Sequence, residues 1–420
     1  MNVFFIFIFV ILFFCIYKTN KIDILSRRII LLYIITWGLA ICIAVIEYGP
    51  INYTANIMTL HVISFLLGFL FIRISRFKAL DVTAHNLHVS LNKLTNNLTF
   101  KIVSLILAVY ALSLLSIFFS KLSILSMAEI RGDYFELNLY GPVFNAINGA
   151  ILEPLKIIAI PIFAWMLFYK RNWVAIALGI FLFSYATLGG GRFGYIKILV
   201  GIIFVVLCVF LNKQNKKLRI RQLSIILSGF IAIISIITVY RLNIESESKE
   251  EIIQSTFEQF TTYATCPILA FDYAIDNNFK DKIGGFQYGR LTFSSVEALM
   301  YSILNKVGIR FDKSLSKIVD LKHNQVLLEN DEWWNALYTS VLYYYLDFGI
   351  FGVIFFPFIF GIVTRLCIRN LYRTNTLSYF ILLSLVFHKI LRAITDYTFT
   401  SPFILIFVLI LIIIGNKKSN

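Results

Sequence analysis

Apolar residues in this chain gather in long runs that short polar connections separate. A run of about 17–25 apolar residues satisfies its own backbone hydrogen bonds as a helix and is long enough to cross a membrane. The pattern predicts eleven spans, at residues 3–17, 29–46, 55–72, 100–119, 151–169, 173–188, 195–211, 223–240, 349–367, 377–391 and 402–414. The predicted fold is therefore an all-α, polytopic membrane helix bundle.

Composition supports the membrane assignment. Of the 420 residues, 59% are apolar and 15% are charged, against about 45–50% and about 25% in soluble domains. Too few polar side chains remain to cover the surface of a soluble core of this size, which excludes soluble enzyme folds. The net charge of +15 comes in short basic clusters between apolar runs. Such clusters orient a membrane protein, and we expect no nucleic-acid partner.

The basic clusters predict the topology. Alternate connections hold 21 of the 38 Lys and Arg residues but only two acids, Asp23 and Asp81. Cytoplasmic loops are enriched in Lys and Arg, so these connections are predicted to face the cytoplasm. The N-terminus of this multi-pass protein is then outside and the C-terminus inside.

One outer connection dominates the predicted organisation. Residues 1–240 form a bundle of eight spans, residues 241–347 form a large outer loop, and residues 348–420 form a bundle of three spans. The loop carries ten basic and fifteen acidic residues. An amphipathic helix is predicted within residues 250–274, and a shallow or re-entrant helix rich in Trp and Tyr within 333–348.

Arginines at the predicted outer face are the main candidates for chemistry. Arg192 ends a triple-glycine turn between two spans, where glycines allow a close backbone approach and the guanidinium can bind a phosphate. The alternative is a tight hairpin with an arginine that reaches the interface. Further outer arginines, with which Arg192 is expected to form a convergent pyrophosphate pocket, are Arg131, Arg241, Arg290, Arg310 and Arg392.

The large loop also supplies candidate acid–base and glycan-binding groups. His323, Asp331 and Glu332 are the main candidate general bases, since a base must lie near the hydroxyl that it deprotonates. Trp333, Trp334 and Asn335 follow directly and are candidates for glycan binding.

Three other polar features are expected to be structural. Glu153 and Lys156, three residues apart, are predicted to form an ion pair at a helix start. Asp347 is predicted to cap the helix of span nine. His85 and His88 lack enough neighbouring ligands to favour a metal site, and none is predicted.

Three features look like the oligosaccharide repeat-unit polymerases of bacteria, the Wzy-type O-antigen and capsule polymerases. They are the many spans with one large late outer loop, the Gly-Gly-Gly-Arg-Phe-Gly turn at 189–194, and the loop exit from Trp334-Asn335-Ala336-Leu337-Tyr338-Thr339 to Tyr345-Leu346-Asp347-Phe348-Gly349-Ile350-Phe351-Gly352. The chain differs in its odd number of spans, where such proteins are described with an even number and both ends inside.

The resemblance implies a membrane glycosyltransferase that moves a growing glycan from undecaprenyl pyrophosphate onto a second lipid-linked repeat unit. Outer arginines would stabilise the charge on the departing pyrophosphate. Arg192 is carried over first, and Arg131, Arg241 and Arg290 follow; Arg192 and Arg290 are placed in catalysis. No cofactor or metal is implied, because the donor is already activated. The implied partners are membrane lipid, a flippase and a chain-length regulator.

Three other readings fit the same pattern. An O-antigen ligase would use the same donor and a different acceptor. A flippase or polysaccharide transporter is less favoured, because the halves of the chain look dissimilar and the polar residues gather at one face. A structural or sensory membrane protein would leave the outer arginines individually dispensable.

Overall fold

The structure is a computed structural model. It describes residues 2–18, 22–47, 51–72, 80–122, 124–125, 141, 144, 147–169, 172–188, 193–209, 224, 228–229, 232, 262, 265–310, 312, 326–327, 333–334, 339–374, 377–394 and 402–417.

The described part of the chain is helical. Its helices are α1 (Asn2–Lys18), α2 (Ile24–Glu47), α3 (Asn52–Phe71), α4 (Leu80–Asn96), α5 (Leu98–Leu122), α6 (Glu153–Tyr169, entered through a π-helical turn at Asn148–Leu152), α7 (Trp173–Leu188), α8 (Phe193–Val209), α9 (265–276), α10 (Phe279–Lys282), α11 (Ser294–Lys306), α12 (Ser340–Thr374), α13 (Leu377–Arg392) and α14 (Pro402–Lys417). Two short antiparallel strands, β1 (Val326–Leu327) and β2 (Trp333–Trp334), pair with each other.

The helices follow the apolar runs. Ten of the eleven predicted spans coincide with a helix, and the remaining one, 223–240, lies almost entirely outside the described residues. Among the described residues, five helical segments are long and apolar enough to cross a membrane: Ile24–Ile46, Tyr53–Phe71, Leu98–Leu122, Asn148–Tyr169 and Ser340–Thr374. Shorter apolar helices are Phe5–Lys18, Trp173–Leu188, Gly194–Cys208 and Phe403–Gly415. A total of eleven membrane crossings stays a prediction.

Two features differ from the sequence expectation. The segment 333–348 is not one helix, since Trp333 and Trp334 pair as a strand with Leu327 and Val326 and α12 begins only at Ser340. The helix α4 was not predicted as an element. It is too polar to span a membrane, and it packs through Leu87 and Leu91.

The chain divides into two compact units, each built from separated segments. The first contains Met1–Ser75, Phe257–Asn370 and Lys389–Ile410, and the second contains Arg76–Thr256, Leu371–His388 and Leu411–Asn420. The division by sequence order, at residues 240 and 347, stays a prediction.

Long-range polar contacts in the first unit agree with the predicted alternation of its helices. Arg365 and Asp23 form an ion pair of 2.7 Å, and both belong to connections predicted on the cytoplasmic side. Thr54 donates a hydrogen bond to Asp272, and both belong to connections predicted on the outer side. The contacts therefore place these residues at the same ends of the bundle as the alternation does. Which end faces the cytoplasm stays a prediction from charge.

Glycines bring α3 and α12 into backbone contact. A Cβ atom added at Gly68 would overlap the carbonyl oxygen of Phe358, and one added at Gly361 would overlap that of Phe65. Small residues allow this close approach, which is a common way for helices to pack in membranes. The backbones of α3 and α12 are therefore in direct contact within the first unit.

The second unit is held by aromatic packing. His88 of α4 lies between the rings of Trp165 and Tyr169 of α6, with ring centres 5.3 and 5.0 Å apart. Phe204 of α8 packs between Phe380 and Phe387 of α13, at 5.3 and 5.5 Å. His88 therefore belongs to an aromatic cluster in this unit.

Candidate functional site

A break in α12 marks the site in the first unit. Phe348 has φ −144° and ψ 18°, and Gly349 has φ 62° and ψ −144°, so neither residue is helical. A positive φ with an extended ψ is open essentially only to glycine. The break divides α12 into a buried segment, residues 340–347, and a segment of 25 residues, 350–374, which at about 1.5 Å per residue is long enough to cross a membrane.

Asp347, the last residue before the break, is fully buried and holds a distant loop. Its carboxylate accepts the backbone N–H groups of Leu291 at 3.1 Å and Thr292 at 2.7 Å. Asp347 was predicted to cap the helix of span nine. That prediction named the wrong partner. The carboxylate accepts the N–H groups of residues 291 and 292, which lie just before α11, and not those of the helix that follows Asp347.

The loop 284–293 fits around the end of the buried segment. The backbone N–H of Gln287 donates to the carbonyl of Leu346 at 3.1 Å, and that of Tyr288 donates to the carbonyl of Asp347 at 3.2 Å. Gly285 and Gly289 have φ of 95° and 89°, which lets the loop turn twice over this short distance. The loop is thus fixed by backbone hydrogen bonds on one side and by a buried carboxylate on the other.

Arg290 is the predicted site residue that this loop carries. Its Nε donates to Oε1 of Glu297 at 2.8 Å, and its Nη2 donates to the carbonyl of Asp312. The side chain of Glu297 is only 3% exposed, whereas that of Arg290 is 39% exposed. The buried carboxylate therefore fixes the orientation of a guanidinium that still reaches the surface.

A second polar cluster lies in the second unit, near the end of α7, the helix that precedes the glycine-rich turn in the sequence. Lys156 forms the predicted ion pair with Glu153, at 2.5 Å, and its Nζ lies 4.0 Å from the centre of the Tyr185 ring. The side chain of Lys156 is mostly buried, so the charge needs both contacts. Lys197 of α8 is near enough to repel it.

The end of α7 and the start of α8 pack closely together near this cluster. A Cβ atom added at Gly194 would lie 2.6 Å from Cα of Ala186, so glycine is required where α8 begins. The hydroxyls of Thr187 and Tyr195 share a hydrogen bond of 2.7 Å across the same junction. Residues 189–192, including Arg192, lie outside the described residues, between the two helix ends that this junction joins.

The described residues hold part of the predicted site. Arg290 is oriented as above, and Arg310 is exposed after α11. Trp333 and Trp334 lie in β2, and only their backbone is described. Outside the described residues lie Arg131, Arg192, Arg241, His323, Asp331, Glu332 and Asn335. The convergence of the arginines on one pocket and the roles of the candidate bases stay predictions.

Sequence reasoning missed three partners. Glu297 and Asp347 position Arg290 and its loop, and only the seven-residue spacing between Arg290 and Glu297 is a local signal. The third is Asp272 of α9, which accepts a hydrogen bond from Thr54, 218 positions away. Burial raises the pKa of Asp272 above its ordinary value of 3.8.

The described residues contain no group of three or more His, Cys, Asp or Glu side chains that could hold a metal ion.

Comparisons with known proteins add no relative. The chain matches no protein-family model, no curated protein and no solved structure.

Proposed function

We propose that the protein is a membrane glycosyltransferase that polymerises oligosaccharide repeat units linked to undecaprenyl pyrophosphate, at the outer face of the bacterial plasma membrane. The reaction transfers the growing glycan from its lipid pyrophosphate to a hydroxyl of a second lipid-linked unit. The glycosidic bond to the pyrophosphate breaks, a new glycosidic bond forms, and the hydroxyl proton is taken up by a base.

The observation that carries the proposal is the fixed orientation of the Arg290 side chain, which two hydrogen bonds hold. A pyrophosphate leaving group gains negative charge as its bond to the sugar breaks, and a cation fixed beforehand stabilises that charge without reorganising. Arg290 meets this requirement because Glu297 and the carbonyl of Asp312 orient it. The loop that carries Arg290 is bonded to Asp347, the residue before the break in α12. This contact supports a position for Arg290 near the end of the spanning part of α12, where the phosphates of a lipid-linked donor would lie.

The second unit supports the proposal with another cationic region. Lys156 and Lys197 are close enough to repel each other, and Lys197 belongs to α8, the helix that follows Arg192 in the sequence. Glu153 neutralises one of the two lysine charges. A second lysine and Arg192 would leave this region net positive, as binding of a phosphorylated lipid requires.

Complementation of a deletion strain tests the proposal. Cells that lack the gene would receive the wild type, Arg290→Met, or Arg290→Met combined with Glu297→Gln, at matched membrane abundance. The double variant removes the buried unpaired carboxylate that the single variant leaves behind. We expect the wild type to restore a ladder of surface polysaccharide and both variants to fail.

Lys280→Ala is the matched control, because it removes one positive charge from an exposed ion pair in the same loop region. We expect it to restore the ladder. Core capped by a single repeat unit in the deletion strain identifies a polymerase, whereas loss of all capped core identifies the ligase or flippase. An unchanged ladder in the deletion strain would overturn the proposal.

A further inference from the structure

The helix α11 exposes its apolar residues, and the polar residues of its first turn are buried. Val296, Leu299, Met300 and Ile303 are exposed, while Glu297 is buried. Ser294 and Ser295 are buried as well. A helix packed on a protein in water buries its apolar stripe and exposes its polar face. Here the apolar stripe faces outward.

The exposed residues form one continuous stripe. Positions 296, 300, 303 and 307 recur at intervals of three and four, so they lie on one face of a helix. We call this face, completed by Phe293 at the start of the helix, the α11 stripe. Exposed Ser302 and Lys306 border it along one edge. Apolar residues flanked by a cation are typical of helices that lie in the membrane interface.

The α11 stripe continues into the apolar surface of α12. The ring of Phe293 lies 5.8 Å from that of Phe356 in an edge-on contact. Just after the break, the exposed residues of α12 are Ile350, Phe351, Ile354 and Phe355, and these belong to a segment long and apolar enough to span a membrane. The exposed apolar surface of α12 therefore meets the start of the α11 stripe at the contact between Phe293 and Phe356.

We propose that α11 lies in the membrane interface at the end of α12, with the α11 stripe among the lipid acyl chains. The occupant of this face is lipid, because the stripe is continuous with the spanning helix and because the polar residues in the first turn of α11, Ser294, Ser295 and Glu297, are already buried by protein. The inference does not depend on the glycosyltransferase proposal.

The position of α11 also sets the depth of Arg290. Arg290 lies one turn before the helix and is bonded to Glu297 in its first turn. With the stripe among acyl chains, the guanidinium lies at the level of the lipid phosphates. The helix then holds Arg290 where a phosphorylated lipid presents its charge.

Collision measurements on nitroxide spin labels test the inference. Cys15, which is exposed, and Cys42 would first be replaced by Ser. Single cysteines would then be placed at Met300 or Ile303 in the stripe, and at Ser302 as the matched control on the neighbouring face. The labelled full chain would be reconstituted in vesicles of phosphatidylethanolamine and phosphatidylglycerol, and its exposure to oxygen and to a water-soluble nickel complex compared.

We expect the ratio of oxygen to nickel accessibility to be severalfold higher at positions 300 and 303 than at 302. High nickel accessibility at all three positions would place the stripe in water and overturn the inference. Low accessibility to both reagents at 300 and 303 would show that protein covers the stripe, which also overturns it. Neither outcome measures glycan transfer, so each is separable from failure of the proposed function.

Discussion

The carboxylate of Asp347 accepts the backbone N–H of Thr292 at 2.7 Å, across 55 positions of the chain. A fully buried charge is stable only when hydrogen bonds satisfy it. Here the bonds come from the loop that carries Arg290, so the end of one helix fixes the position of a distant cation. The loop and the break in α12 therefore hold each other in place.

Asp347→Asn is expected to weaken the attachment of the loop 284–293 to α12. An amide has one oxygen and one NH₂ group, so one of the two backbone N–H donors loses its acceptor and faces another donor. The expected cost is about 1–3 kcal/mol of the free energy of unfolding. Thermal unfolding in detergent, with limited proteolysis of the loop, measures it. An unchanged midpoint and an unchanged cleavage pattern would contradict the role given to Asp347.

Gly349→Ala is expected to destabilise the break in α12. The backbone there has φ 62° and ψ −144°, and a Cβ atom would also lie 3.4 Å from the ring of Phe286. Holding a residue other than glycine in such a conformation costs on the order of 1–3 kcal/mol. Gly229→Ala, at an exposed helical position, is the control, because a Cβ atom there would have no neighbouring atom within 4 Å. Equal unfolding midpoints for the two variants would disprove the requirement for glycine.

Arg365→Met is expected to cost more than the double variant Asp23→Asn with Arg365→Met. Arg365 is buried and pairs with Asp23, and Asp23 also caps α2 by accepting the N–H of Ser26 at 2.9 Å. Removing the arginine alone leaves a largely buried carboxylate, at a cost of about 3–5 kcal/mol. Asn keeps the cap without the charge. Unfolding in detergent compares the two, and a double variant less stable than the single one would contradict the pairing.

Asp272→Asn is expected to change how stability depends on pH. Burial raises the pKa of Asp272 above 3.8, so the folded protein binds this proton more tightly than the unfolded chain does. The resulting stability is fully present below pH 3.8 and is lost as the pH rises through the raised pKa. The variant should therefore gain unfolding temperature relative to the wild type as the pH rises from about 4 to 7. A difference that is constant across this range would contradict the raised pKa.

The apolar runs alone predicted the helices, because a backbone in hydrocarbon must satisfy its own hydrogen bonds. The helix α4 was not predicted, because its apolar residues form a stripe along one face and not a continuous run. The break in α12 could be suspected from Gly349, but its meaning depends on Leu291 and Thr292, which no local pattern links to Asp347. The α11 stripe is visible in the sequence as a helical repeat. That the stripe is exposed while the polar first turn of α11 is buried depends on tertiary packing and cannot be predicted from that repeat.

The most direct test of the central claim is glycan extension by the purified wild-type protein. The full chain would be reconstituted in vesicles of phosphatidylethanolamine and phosphatidylglycerol that contain a single lipid-linked repeat unit. The account predicts products of two, three and more units, with one undecaprenyl pyrophosphate released for each new linkage, and no extension with the double variant Arg290→Met, Glu297→Gln. If single repeat units from the source organism are left unextended by folded wild-type protein, the account is contradicted.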